Sequence, residues 1–148
     1  MKKTLIAIFA SLVLITALAG CGTKQDDTDL NKALGNKEIT VTPTKVTREK
    51  ATSDRKAILK VVVQVKNNSK KAIGIGAGNF NLKDDDGKNY DNYGLKADSL
   101  GQELEAGKTV TGNIYYEIPA DLEKGWMDYA ASLGQEPAAE WLLAFPKK

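Results

Sequence analysis

Downstream of Glu38 the apolar positions recur with a period of two, the signature of β-strands with one face buried. Leu59, Val61, Val63 and Val65 point one way, and Lys60, Gln64 and Lys66 the other. This is the strongest predicted strand. Val110, Gly112, Ile114, Tyr116 and Ile118 repeat the pattern from Thr109 until Pro119 ends it. Ile39-Thr40-Val41 opens an earlier strand in which Pro43, with no N–H to donate, marks an edge or a break. Turn chemistry separates these runs: Asn67-Asn68-Ser69-Lys70-Lys71, Asp84-Asp85-Asp86-Gly87-Lys88 and Ala106-Gly107-Lys108. The second of these reads as a hairpin between Phe80–Lys83 and a strand around Tyr90. Trp126–Ala131 and Trp141–Phe145 form a closing strand pair, with Ser132–Glu140 between them as a loop or one helical turn. No helical period is sustained past Glu38. Short strands and turns over residues 38–148 predict an all-β fold, a β-sandwich. Its core should hold Val61, Val63, Val65, Phe80, Leu82, Val110, Ile114, Tyr116 and Ile118.

The first twenty residues follow different rules. Lys2 and Lys3 precede an uncharged, largely apolar run from Thr4 to Leu18. A bilayer-spanning helix needs about 20 apolar residues, so this run is sized for a secretory signal. Leu18-Ala19-Gly20 leads directly into Cys21, the single cysteine of the chain, and resembles the lipobox of bacterial lipoproteins. The resemblance implies cleavage after residue 20, acylation of Cys21 and attachment to the outer face of a membrane. Gly22 to Lys37 is mostly polar and reads as a flexible tether, with a coil reach of about 20–24 Å. Leu30 and Leu34, spaced i, i+4, also fit one short helix from Asp27.

Composition narrows the chemistry. Of 148 residues, 21 are Lys or Arg and 19 are Asp or Glu; without Lys2 and Lys3 the charges balance. A nucleic-acid partner therefore has no electrostatic footprint here. The chain has no histidine, which excludes His-dependent triads and His-ligated zinc. No disulfide is available, so the core must hold the domain alone.

Three further stretches carry a family likeness: Val61–Lys71, Phe80–Tyr90, and Leu104–Gly112 with its continuation to Pro119. In order and spacing they resemble telokin-like bacterial lipoproteins built around a domain of unknown function. The resemblance implies an immunoglobulin-like β-sandwich, and brings no catalytic residues with it.

Candidate chemistry is sparse. Asp84, Asp86 and Asp91 could supply oxygens to a divalent cation, although Leu82 stands where an EF-hand loop centred on Gly87 needs its first ligand. Turn formation alone accounts for these residues equally well. Gly74, Gly76 and Gly78 precede a strand-like segment rather than a helix, so a crossover or bulge fits better than a phosphate loop. Tyr115 and Tyr116 are adjacent and must face opposite ways in a strand. Tyr116 belongs inward with Ile114, which leaves Tyr115 outward as an interaction candidate. No pair of carboxylates is framed for acid–base work. The expected role is a non-enzymatic binding module without a cofactor. It would be held to the membrane by the lipid on Cys21 and would meet an envelope protein or a cell-wall component. A small-molecule or metal-binding lipoprotein is the alternative, and a carboxylate-dependent hydrolase the third.

Overall fold

The alternation at Leu59–Val65 does set the central strand of the molecule. In the computed structural model, which describes residues 28–132 and 134–147, the strands in chain order are β1 (Leu34–Gly35), β2 (Ile39–Lys50), β3 (Lys56–Asn67), β4 (Ile73–Gly76), β5 (Phe80–Lys83), β6 (Asn89–Tyr90), β7 (Gly101–Leu104), β8 (Thr109–Pro119), β9 (Lys124–Tyr129) and β10 (Ala139–Ala144). They form an immunoglobulin-like β-sandwich. One antiparallel sheet has the order β1-β2-β3-β8 and the other β10-β9-β5-β6, with β4 and β7 paired as a small third sheet. Leu59, Val61, Val63 and Val65 have no exposed surface, and each such burial contributes about 1.5–3 kcal/mol. Phe80, Leu82, Ile114, Tyr116, Met127, Trp141 and Leu143 complete the core. The phenyl ring of Phe80 lies 5.3 Å from that of Tyr129 at a tilt of 52°. Val110 is only half-buried, because it sits near the outer end of β8 beside the Ala106–Lys108 turn.

The irregularities have local causes. Pro43 cannot donate to the ladder, and the register of β2 against β3 shifts between Pro43 and Lys45. Thr44 uses its hydroxyl to bond the carbonyl of Val62 at 3.2 Å. The glycines at 74, 76 and 78 mark a crossover: β4 runs into a single 3-10 turn, Ala77–Asn79, before β5. Strand β7 had no clear period in the sequence, and it exists through pairing with β4. Residues 131–132 and 134–138 form bends and turns rather than a helix, with Gly134 at a φ of +80°.

The domain starts earlier than residue 38. The N–H of Asp29 donates to the carbonyl of Leu142 at 2.8 Å, and the N–H of Leu142 donates back to Asp29 Oδ2 at 3.0 Å. Asn31 N–H bonds Pro43 O at 2.7 Å, and the indole of Trp141 bonds Lys32 O at 2.8 Å. Leu34 packs on the core. The segment from Thr28 is therefore docked, through one turn at Leu30–Asn31 and then β1, and is neither tether nor helix. Backbone and indole groups that would otherwise be buried unpaired hold it in place. Cys21, the apolar run before it and the remainder of the expected tether lie outside the described residues.

At the far end of β3, Asn67 ties two turns together. It is fully buried, and its Nδ2 lies 2.7 Å from Lys71 O, 2.9 Å from Leu104 O and 3.1 Å from Glu105 O. Its Oδ1 accepts the N–H of Ser69 at 2.9 Å. Asn67→Ala strands these carbonyls away from solvent, so it should lower stability by about 2–3 kcal/mol. The exposed neighbour Asn68, bonded through its side chain to Thr40 Oγ1, should cost under about 1 kcal/mol as Asn68→Ala. Denaturant midpoints of the two variants check the contrast.

Candidate functional site

The outward face of β3 and β8 carries a ring of charges around one aromatic. Lys60 faces Tyr115 across the β3–β8 register, and Val62 faces Asn113. The segment from Asn92 to Leu100 folds over this face. Its main chain is bonded to β8 at both ends: Tyr93 N–H to Tyr115 O at 2.7 Å, and Leu100 N–H to Asn113 O at 2.8 Å. Asp98 then receives the Tyr115 hydroxyl at 2.9 Å on Oδ2 and the Asn113 amide at 2.8 Å. The ammonium groups of Lys60 and Lys96 sit 5.4 and 5.3 Å from the Tyr115 ring centre. Lys96 is also paired with Glu49 at 2.6 Å. Gly112 makes room underneath, since a Cβ there would come within 2.5 Å of the Leu100 side chain.

This arrangement corrects the expectation for Tyr115. Its side chain does leave the core face, but the segment above it leaves only 2% exposed. Tyr115 is a fastening, not a contact residue. Of the other aromatics, Tyr116, Tyr129 and Trp141 are buried, and Tyr90, Tyr93 and Trp126 are half-buried.

What the fastening holds in place is a groove of about 590 Å³ at one end of the sandwich. One wall is Tyr90, Tyr93 and Leu95; the other is Arg55, Lys56 and the end of β8 at Ile118 and Pro119. Lys56 is ion-paired with Glu117. Leu95, at the rim, is 81% exposed, the most of any large apolar side chain among the described residues. Lys88 stands 5.4 Å over the Tyr90 ring. Burial, followed by the hydrogen bond to Asp84, pushes the Tyr90 phenol up to about 12, so it remains a donor at neutral pH. Sequence reasoning did not assemble this groove. Its one local signal was an apolar residue, Leu95, between Gly94 and Lys96 in a polar loop.

The acidic residues of the β5–β6 hairpin are committed locally. Asp84 receives the Tyr90 hydroxyl at 2.7 Å and the N–H groups of Asp86 and Lys88 at 3.0 and 2.9 Å. These donors hold its carboxyl below the usual range, the Tyr90 hydroxyl most of all. Gly87 supplies a φ of +78°. Asp85 is bound by Lys124 at 2.7 Å. Asp91 lies apart from them, on the groove side. Among the described residues no three His, Cys, Asp or Glu side chains are grouped to hold a metal ion. Among the same residues no helix is long and apolar enough to cross a membrane.

The Tyr115 hydroxyl is the largest influence keeping the Asp98 carboxyl below the usual range. A carboxylate more acidic when folded than unfolded stabilises the fold above its unfolded value, near about 3.9. That contribution fades as pH falls through the lowered folded value. Tyr115→Phe should therefore lower the denaturation midpoint at pH 7, and the gap to the native chain should close on acidification. Midpoints measured between pH 7 and pH 3 check the sign.

Comparison with known proteins agrees with this architecture. The model of the family described as Domain of unknown function (DUF4352) matches residues 28–138, which begins at the docked segment. Among curated proteins none matches the chain. Among solved structures, one named "putative lipoprotein (ycdA)" from Bacillus subtilis superposes with a TM-score of 0.61 at 24% identity over 76% of this chain. The match spans 38% of that protein's length. The yjhA protein of Bacillus subtilis gives 0.57 at 19% identity, covering 79% of this chain and 98% of that one. A conserved hypothetical protein of Bacillus anthracis gives 0.55 at 18%, covering 76% and 95%. These likenesses show the shared fold. The family match covers well over half of the sequence, so the chain belongs to the family of the Domain of unknown function (DUF4352).

Proposed function

We propose that this protein is a lipid-anchored, extracytoplasmic recognition module of the bacterial envelope, which works by binding and not by catalysis. The anchor reading rests on the signal-like run ending in Leu18-Ala19-Gly20-Cys21. Two or more acyl chains, at about 0.8 kcal/mol per buried CH₂, make a stable anchor. One structural neighbour, at 24% identity, carries the name of a lipoprotein and so supports the reading. The observation that carries the binding reading is the preformed groove: a loop fastened through Tyr93, Asp98 and Leu100 presents Leu95 to solvent beside Arg55 and Lys56. A loop already ordered loses little entropy on binding, so contacts made there are retained as affinity. A small-molecule carrier is the second reading, favoured by the groove volume, which falls within the usual range for ligand pockets.

In cells, Cys21→Ala should abolish labelling by a palmitate analogue and either block processing or leave the protein poorly retained by the membrane. A photoreactive residue at position 95 should form an adduct with an envelope constituent, and one at position 70 should not. Arg55→Glu should cut the adduct at 95 roughly tenfold, as loss of about 1.4 kcal/mol would. Equal labelling from both positions contradicts the groove as the binding site.

A further inference from the structure

The point where the described chain begins constrains how the domain stands. Thr28 lines a shallow cavity with Glu123, Lys124, Ala144, Phe145 and Lys147. These lie at the end of the sandwich that also holds the start of β3 and the groove, where Arg48 bonds the carbonyls of Ala120, Leu122 and Pro146 at 2.6 Å each. Asn67 and the Ala106–Lys108 turn lie at the opposite end. Cys21 precedes Thr28 by seven residues. Seven residues span at most about 25 Å in any conformation. Strand β2 alone, at 12 residues, runs about 40 Å between the ends. An anchor at Cys21 therefore holds the Thr28 end within about 25 Å of the bilayer and rules out a domain standing on its Asn67 end.

That end is divided in charge. A cavity adjoining the groove, about 480 Å³ and sharing Lys56 with it, is lined by Arg48, Lys50, Lys56 and Lys147 against Glu49 and Asp54. Glu49 is already paired with Lys96. On the other sheet, Asp84, Asp85, Asp86, Asp121 and Glu123 surround a shallow depression with Lys124. Around Leu95 the cations Arg48, Lys50, Arg55, Lys56, Lys88 and Lys147 outnumber Glu49, Asp54, Asp91 and Glu117, although Lys56 is paired with Glu117 and Lys147 with Glu123. An apolar side chain at a rim flanked by cations matches a headgroup layer: the side chain enters the acyl boundary while Lys and Arg meet lipid phosphates.

We infer that the domain rests on its own membrane by this end, with Leu95, Arg55 and Lys56 against anionic lipid headgroups. The inference rests on the anchor reading and names the partner of the same groove. The contact is screened by salt within a Debye length of about 10 Å at 0.1 M.

The test uses the full acylated chain in vesicles of phosphatidylcholine with about 30% phosphatidylglycerol, a composition that carries the negative surface charge the contact needs. An environment-sensitive fluorophore is placed through Leu95→Cys or, at the far end, Lys70→Cys, with the Cys21 thiol occupied by lipid. Unchanged denaturation midpoints confirm that the variants fold. Emission from position 95 should shift to the blue and be quenched by brominated lipids, and emission from position 70 should not. Pure phosphatidylcholine, raised salt or Arg55→Glu should each reduce the quenching at 95 severalfold. If the protein floats with the vesicles and both positions stay equally unquenched or equally quenched, the orientation is wrong and the anchor stands. If position 95 is unquenched until an envelope protein is added, the groove takes that protein and the lipid assignment falls. If the chain does not float with the vesicles at all, the anchor reading fails and this inference with it.

Discussion

Everything in this domain depends on the register of β3. That strand is paired along its whole length with β2 on one side and β8 on the other. Its inward residues, Leu59, Val61, Val63 and Val65, are sealed from water by the second sheet. With a single cysteine, and so no internal disulfide to hold the layers, this burial must offset the entropy of ordering the chain. A slip of one residue would turn Lys60, Gln64 and Lys66 into the core, so the register is fixed by the same pattern that drives folding.

The register that builds the core also builds the outer surface. It sets Lys60 opposite Tyr115 and Val62 opposite Asn113. Tyr115 and Asn113 together hold the Asp98 carboxylate, and Asp98 holds the segment that carries Leu95. The start of the strand places Lys56 in the wall of the groove, and its end places Asn67 between two turns. Core, groove and far-end turns are thus three consequences of one pairing. The small β4–β7 sheet and the docked residues from Thr28 close the remaining edges.

The sequence was readable where a single strand's own alternation decides the outcome. β3, β8 and the β5–β6 hairpin lie where the pattern put them, and so do Phe80, Leu82, Ile114 and Tyr116; the closing pair exists, but β9 and β10 each begin two residues before Trp126 and Trp141. It was unreadable where the outcome depends on a remote partner. Leu30 and Leu34 sit in a polar stretch that looks like linker, and partners remote in sequence dock it: the Trp141 indole, the Leu142 backbone, Pro43 O and strand β2. Tyr115 has the correct facing, but no period-two pattern reveals a loop that will fold over it. The groove was hidden for the same reason: residues 55–56, 88–95 and 117–119 meet only after the sheets close.

The functional proposal requires that the loop bearing Leu95 belong to the folded unit and not ride on it as a mobile flap. Hydrogen exchange of the native protein tests that directly. The amides of Tyr93 and Leu100, bonded to Tyr115 O and Asn113 O, should be protected to nearly the level of Val61 and Val63 in β3. In that case they open only with the sandwich itself. Exchange at Tyr93 and Leu100 orders of magnitude faster than in β3, under conditions where β3 stays protected, would contradict the account.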